Sequence, residues 1–122
     1  SILAATYVFA LAAAMLVERV TYFVMKNTLK RLRPYDLKSN FSSLIKASDK
    51  FSFPSGHTSA AFCFSTITVV IFGGVFAVML VWAALVGASR VVIGVHFPGD
   101  IAAGAILGSG IAIGTASMLS LW

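Results

Sequence analysis

The chain has 122 residues, 59% of them hydrophobic and only 11% charged, and its mean hydropathy is +0.95. Because a soluble domain usually carries about 25% charged residues, this composition excludes an ordinary soluble protein and predicts a single membrane domain. The net charge of +5 is localised: seven of the nine basic residues lie between Lys26 and Lys50, and no separate basic helix indicates a nucleic-acid partner.

The first apolar segment extends from Ile2 to about Lys26, and a membrane-spanning helix needs about 20 residues. This segment contains the charged pair Glu18-Arg19, and charges are costly in hydrocarbon. Either the pair faces the bundle interior as a functional unit, or it lies near the headgroups and extends its side chains toward them. We favour the second interpretation.

The segment from Thr58 to Ser89 contains no charged residue. As one helix its 32 residues would extend about 48 Å, well beyond a hydrocarbon core of about 30 Å. The Gly73-Gly74 pair therefore predicts a break between two antiparallel spans, roughly residues 54–72 and 75–93. A last span is predicted from about residue 98 to residue 122.

The last span carries two pairs of glycines at a spacing of four, Gly104 with Gly108 and Gly110 with Gly114. This spacing lets membrane helices approach closely.

The polar and basic segment of residues 26–53 is predicted to be a solvated loop rather than a helix on the membrane surface. The alternative rests on the spacing of four apolar residues, Phe41, Leu44, Ile45 and Phe51. With four alternating spans, the polar ends of all of them reach one membrane face, whereas the opposite face receives only Gly73-Gly74 and the termini. The clusters predicted to meet are residues 26–33, 55–57, 89–90 and 96–100.

The turn Pro54-Ser55-Gly56-His57 directly precedes the second span. A turn followed by a helix presents free backbone N–H groups and the positive end of the helix dipole, which together bind anions. A histidine there can transfer a proton near neutral pH. A simple helix start with Ser55 as its cap would have the same pattern.

His96 and Asp100 lie four residues apart at the start of the last span, which places both on one side of a helix. An Asp bonded to one ring nitrogen fixes the tautomer and makes the other nitrogen a better nucleophile or base. Alternatively, Asp100 only stabilises the helix N-terminus.

Three cations, Lys26, Arg33 and Arg90, have no obvious acidic partner in the sequence. Guanidinium groups suit bidentate binding of phosphate oxygens, and an ammonium group supplies a point charge. The other basic residues are predicted to face water or headgroups: Lys30, Arg31, Lys38, Lys46 and Lys50.

Three motifs follow each other in the order Lys26-x6-Arg33-Pro34, Pro54-Ser55-Gly56-His57 and Ser89-Arg90-x5-His96-x3-Asp100. Together they resemble the signature of the type 2 phosphatidic acid phosphatase (PAP2) superfamily, which also includes vanadium haloperoxidases and glucose-6-phosphatase. The resemblance implies an all-α, polytopic transmembrane helix bundle. Lipid phosphatases of this type usually have six helices, so the four spans are expected to form the C-terminal part of that core, one domain over residues 1–122 lacking N-terminal helices.

The resemblance also implies roles for single residues. His96 would attack phosphorus, Asp100 would orient its ring, and His57 would protonate the leaving group and then activate water. The residues expected to bind the phosphoryl group are Lys26, Arg33, Ser55, Gly56 and Arg90. No cofactor or metal is expected, because the acids are too few to form a carboxylate cluster: Glu18, Asp36, Asp49 and Asp100.

The function expected from these residues is a metal-independent membrane lipid phosphatase that acts through a phosphohistidine on phosphatidate, phosphatidylglycerophosphate or a polyprenyl diphosphate. The alternatives are a phosphotransferase or sugar-phosphate phosphatase with the same site, or a non-catalytic lipid-binding or transport protein. The basic loop taken alone would place the site in the cytoplasm. The resemblance favours the extracytoplasmic face of the cell membrane, and we adopt it.

Overall fold

The computed structural model describes residues 1–37, 43 and 51–121, and the regular structure in these ranges is helical except for one isolated bridge. This confirms the all-α prediction. The helices are α1 (Ile2–Leu29), α2 (Pro34–Leu37), α3 (Gly56–Phe72), α4 (Val78–Val92) and α5 (Pro98–Met118), with a 3₁₀ helix at Gly74–Ala77 before α4.

Three helical segments of the described chain are long and apolar enough to cross a membrane: α1, the 3₁₀ helix joined to α4, and α5. The fourth apolar helix, α3, has 17 residues, which corresponds to a length of about 26 Å. The predicted break is confirmed, because α3 ends at Gly73. Gly73 has a φ of 102°, which lies in a region that residues with a side chain rarely adopt.

Helix α3 is the central element, because it packs against α1, α4 and α5. Within the described residues, α1 and α4 do not pack against each other. The core of the bundle consists mainly of small side chains, which lets the helices approach closely. Its fully buried members are Ala10, Ala14, Cys63, Ile67, Ala112 and Ala116.

The closest helix contact is between α5 and the first turns of α3. A Cβ atom added to Gly104 would lie 2.7 Å from the Ser55 carbonyl oxygen, and one added to Gly108 would overlap the Ser59 carbonyl oxygen. The prediction of close approach is therefore confirmed for the first glycine pair. At Gly110 and Gly114 an added Cβ would meet open space, so the described chain provides no partner helix there.

The favoured interpretation of Glu18-Arg19 is wrong for Glu18, whereas the Arg19 side chain is 45% exposed. Glu18 is completely buried, and its carboxylate contacts the Arg19 guanidinium and the Ser59 hydroxyl of α3. The rotation of α1 about its axis decides this, and it depends on the packing against α3.

Parts of the basic segment lie outside the described residues. The predicted alternative of a surface helix involves Phe41, Leu44 and Ile45, which are among them. Phe51 is described, and it forms an isolated antiparallel bridge with Leu32.

Candidate functional site

Backbone hydrogen bonds bring the three sequence motifs together. The Ser52 N–H donates to the Arg31 carbonyl at 2.7 Å, which places the end of the first motif beside the start of the second. The Ser55 N–H donates to the Asp100 carbonyl at 3.1 Å, which joins the second motif to the third. The clusters predicted to share one membrane face therefore meet.

His96 and Asp100 form the buried centre of the site, with 3% and 0% of their surfaces exposed. His96 Nδ1 lies 3.3 Å from Asp100 Oδ2, and the same oxygen accepts the Phe97 N–H at 2.8 Å. The Asp100 carboxylate therefore caps the start of α5 and contacts the imidazole at the same time.

Arg33 lies on the opposite side of the imidazole. Its Nη1 donates to the Val95 carbonyl at 2.8 Å and lies 3.3 Å from His96 Nε2. With the Nδ1 proton directed at Asp100, the Nε2 lone pair faces the guanidinium. A phosphoryl group bound by Arg33 would thus be close to a nucleophilic nitrogen.

The surroundings of His96 favour its neutral form. Burial lowers the pKa of His96, and the positive charges of Arg33 and Arg90 lower it further, while Asp100 acts in the opposite direction. A neutral imidazole is what nucleophilic attack requires.

Ser55 and Gly56 form the turn that starts α3. Ser55 Oγ accepts the Thr58 N–H at 3.3 Å and donates to Thr58 Oγ1 at 2.9 Å, so Ser55 is a helix cap, as the simpler interpretation predicted. Gly56 packs against Tyr22, whose Cζ atom would lie 2.7 Å from an added Cβ. A side chain at this position would displace the turn from α1.

His57 is exposed and lines an apolar cleft between α1, α3 and α4. Lys26 is 4% exposed, and its Nζ lies 4.6 Å from the centre of the Tyr22 ring. Arg90, in the last turn of α4, is close enough for its charge to act on His96.

Of the predicted site residues, three are therefore in direct side-chain contact, Arg33, His96 and Asp100. Ser55 joins them through its backbone, and Arg90 acts through its charge. Lys26 and Gly56 are linked to each other through Tyr22.

Two residues near the site were missed in the sequence. Arg31 was expected to face only water or headgroups, but its Nη1 lies 3.5 Å from Asp100 Oδ1 and its guanidinium stacks over the Phe97 ring at 4.5 Å. No spacing in the sequence indicates this contact. Tyr22 precedes Lys26 by four residues, and this helical spacing could have identified it.

Among the described residues, no three or more His, Cys, Asp and Glu side chains lie together as a set that could hold a metal ion.

The chain as a whole matches a known family. The model of the PAP2 superfamily matches residues 3–121. The chain belongs to this superfamily, and the resemblance seen in its motifs is confirmed.

Two curated relatives illustrate the similarity. The chain is 34% identical over 95 residues to the bacitracin transport permease protein BcrC of Bacillus licheniformis, covering 78% of this chain and 47% of that protein. It is 35% identical over 108 residues to phosphatidylglycerophosphatase B of Bacillus subtilis, covering 75% of this chain and 47% of that protein. The chain spans about half the length of the curated relatives it matches.

A third relative is lipid A 4'-phosphatase of Bacteroides thetaiotaomicron, 28% identical over 84% of this chain and 49% of that protein. Among solved structures, the transmembrane PAP2-type phosphatidylglycerolphosphate phosphatase of Bacillus subtilis superposes with a TM-score of 0.76 at 26% identity, covering 98% of this chain and 66% of that one. With its apolar helices, the chain is thus an integral membrane protein with the transmembrane PAP2 fold.

Proposed function

We propose that the chain carries the catalytic site of a membrane lipid phosphatase, which hydrolyses a phosphomonoester or diphosphate of a membrane lipid through a phosphohistidine. The observation that carries this proposal is the buried line of Arg33, His96 and Asp100, in which a neutral imidazole lies between a guanidinium and a carboxylate. The phosphatase names of two curated relatives support it.

In the first step, His96 Nε2 attacks phosphorus while the bond from phosphorus to the lipid oxygen breaks. His57 gives its proton to the leaving oxygen. Asp100 stabilises the positive charge that the phosphorylated imidazole acquires. Arg33 contacts Nε2 without substrate, so its guanidinium has to move onto the phosphoryl oxygens as the new bond forms.

In the second step, His57 accepts a proton from a water molecule, which attacks the phosphohistidine. The P–N bond breaks, its electron pair returns to His96 Nε2, and inorganic phosphate leaves. Donors around the phosphoryl group stabilise the charge on its three equatorial oxygens in both steps. The groups proposed to do so are the side chains of Lys26, Arg33, Ser55 and Arg90 and the N–H of Gly56.

The cleft beside His57 supports a lipid substrate. It has a volume of about 390 Å³, and the residues that line it are apolar except for His57 and the indole N–H of Trp82. The walls come from Met15 of α1, Phe64 of α3, and Trp82 of α4. An apolar cleft lined in part by the residue proposed as proton donor suits the chain of an amphiphile better than a sugar, which needs polar partners.

The test is phosphate release by purified protein in lipid nanodiscs containing EDTA. The substrates are phosphatidate, phosphatidylglycerophosphate, a polyprenyl diphosphate and, for the main alternative, glucose 6-phosphate. We expect release from at least one lipid, complete loss in His96→Ala, and normal activity in the control Ser65→Ala, which removes a buried bond to the Met79 carbonyl far from the site. Unchanged turnover in His96→Ala would refute the nucleophile assignment.

A trapping experiment tests the intermediate. A phosphorylated imidazole is hydrolysed in acid but survives in alkali, so the reaction with radiolabelled substrate is stopped with alkali. We expect label on the wild-type protein and none on His96→Ala. Activity without a labelled protein at any reaction time would favour direct attack by water.

The proposed location of the site is the extracytoplasmic face of the cell membrane. Gly99 is exposed at the start of α5, and the native Cys63 is buried. A Gly99→Cys variant should therefore react with a membrane-impermeant maleimide in intact cells. Labelling only after the cells are lysed would place the site in the cytoplasm.

A further inference from the structure

A polar cluster inside the bundle connects the middle of α1 to the first turn of α3. Arg19 donates from Nε to Glu18 Oε1 at 2.5 Å and from Nη2 to Glu18 Oε2 at 2.8 Å. The same Nη2 donates to the Gly56 carbonyl at 2.8 Å, and the Ser59 hydroxyl donates to Glu18 Oε2 at 2.6 Å. None of the catalytic steps uses Glu18 or Arg19.

Stability alone is a poor explanation for this cluster. Glu18 is completely buried, whereas the Arg19 side chain is 45% exposed. Burying the carboxylate has a desolvation cost of several kcal/mol, and well-packed apolar residues are often as stable or more stable. One and two turns earlier, α1 packs with the small apolar residues Ala14 and Ala10, which carry no such cost. The charges occur only where α1 meets the turn of the proposed site.

The cluster fixes the peptide from which His57 projects. The Gly56 carbonyl held by Arg19 belongs to the same planar peptide unit as the His57 N–H. Glu18 holds Ser59, three residues from Gly56 and thus on the same face of α3, which sets the rotation of the first turn. Tyr22 lies against Gly56 and leaves no room for the turn to move toward α1.

The same cluster is connected to Lys26, which is proposed to bind the phosphoryl group. The Arg19 guanidinium lies 4.5 Å and the Lys26 ammonium 4.6 Å from the centre of the Tyr22 ring. Cations are attracted to an aromatic face at this distance. Tyr22 therefore joins the support of His57 to that of Lys26.

We infer that Glu18 and Arg19 are positioning residues that hold His57 in line with the leaving oxygen of the substrate. This inference rests on the proposed function. A displacement of a catalytic group by about 1 Å can lower a rate about 100-fold. Loss of the Glu18–Arg19 pair should therefore weaken proton transfer by His57 without removing the nucleophile.

The test compares two substrates that differ in their need for a proton. An alkyl phosphate requires protonation of its leaving oxygen, whereas p-nitrophenyl phosphate releases a stable phenolate. For the full chain in nanodiscs, we expect Arg19→Met to lower kcat/KM for the alkyl phosphate by about 10- to 100-fold. For the aryl phosphate we expect less than about a threefold change, because His96 still attacks.

Three other variants complete the experiment. His57→Ala should show the same dependence on the leaving group, and adding Arg19→Met to it should cause little further loss. Arg19→Lys should recover part of the activity, because a lysine can still donate to the Gly56 carbonyl. Ser65→Ala controls for the loss of a buried hydrogen bond elsewhere in α3.

The inference would be overturned if Arg19→Met lost equal activity on both substrates. It would also be overturned if Arg19→Lys remained folded but recovered no activity. Either result would assign the Glu18–Arg19 pair a structural role. If wild-type protein released phosphate from neither substrate, the proposed function would fail first, and the positioning role with it.

Discussion

The two ends of the helix bundle are built on different principles. At the end with Gly73-Gly74, the helices are held by small apolar side chains such as Ala10 and Ala116. At the opposite end, buried side chains are charged or polar, and they are connected by hydrogen bonds across helices. The buried polar residues there include Glu18, Lys26, Arg33, Ser55, Ser59, His96 and Asp100.

This difference distinguishes the part of the bundle that is held by packing from the part that holds the proposed site. The apolar end depends mainly on close packing, which small residues provide in a membrane, with one hydrogen bond between the Tyr7 and Thr68 hydroxyls at 2.9 Å. The polar end contains buried groups that are costly unless they are paired, and each therefore constrains its neighbours. Changes at the two ends should consequently affect different measurements.

The largest effect is expected from Asp100→Asn at the polar end. An amide can present its NH₂ group to Nδ1, which leaves the proton on Nε2 and removes the nucleophilic lone pair. We expect kcat to fall by about 10,000-fold, as when the orienting carboxylate of a catalytic triad is replaced by an amide. The Tm should also fall modestly, because Asp100 Oδ2 accepts the Phe97 N–H as well, and an NH₂ group in its place cannot accept that bond. A rate within tenfold of wild type would contradict the orienting role.

The next effect concerns packing between α5 and α3. Gly108→Ala should lower the free energy of unfolding by about 1–3 kcal/mol, because its Cβ would overlap the Ser59 carbonyl oxygen. Gly110→Ala is the matched control: its Cβ meets open space, and alanine favours a helix over glycine by up to about 1 kcal/mol. Thermal unfolding in detergent measures both. Equal effects of the two variants would show that the close approach is absent.

These predictions indicate how far the sequence goes. The sequence predicts correctly that α3 ends at Phe72, that the chain breaks at Gly73, and that α5 begins at Pro98. These positions follow from segment length, charge and glycine content, which act locally. The convergence of motifs follows from the alternation of spans.

The sequence does not show how each helix is rotated about its axis. That rotation buries Glu18 and brings Arg31 to Asp100, and it depends on the packing of all helices together. For the same reason, the spacing of Gly110 and Gly114 indicates a close contact for which the described chain offers no partner. Residues acting through a neighbour, such as Tyr22, are the hardest to predict.

A moderate effect is expected from pH. Because burial and nearby cations lower the pKa of His96 below its ordinary value of about 6.5, the proposed nucleophile stays neutral into mildly acidic solution. The acidic limb that His96 contributes to kcat/KM should therefore lie below pH 6.5. NMR of labelled histidine, with His57→Asn to assign the signals, measures this pKa directly. A value above 6.5 would contradict the arrangement.

The same shift affects stability. Between the folded and unfolded pKa values, the unfolded chain binds more protons at His96, so stability rises with pH in that interval. The contribution of His96 is complete above about pH 6.5 and is lost as the pH falls below it.

The smallest effect is expected from Arg31→Gln. Its guanidinium is 42% exposed and 3.5 Å from Asp100 Oδ1, and half-exposed ion pairs contribute about 1 kcal/mol or less. We expect KM for an anionic substrate to rise by less than about fivefold, and the difference to shrink at high ionic strength. Lys30→Gln removes the same charge from an exposed neighbour and should change KM less. Equal changes in KM for Arg31→Gln and Lys30→Gln would show that Arg31 acts only as a general surface charge.

The hydrogen bond from the Ser55 N–H to the Asp100 carbonyl has a consequence for how such a site can diversify. Both of its atoms belong to the main chain, so most side-chain replacements leave it in place. Most mutations should therefore leave the distance between the turn before His57 and the turn before Asp100 unchanged. Substitutions in the cleft beside His57 or around the proposed phosphoryl site can then alter substrate preference while the distance between the two histidine-bearing segments is retained.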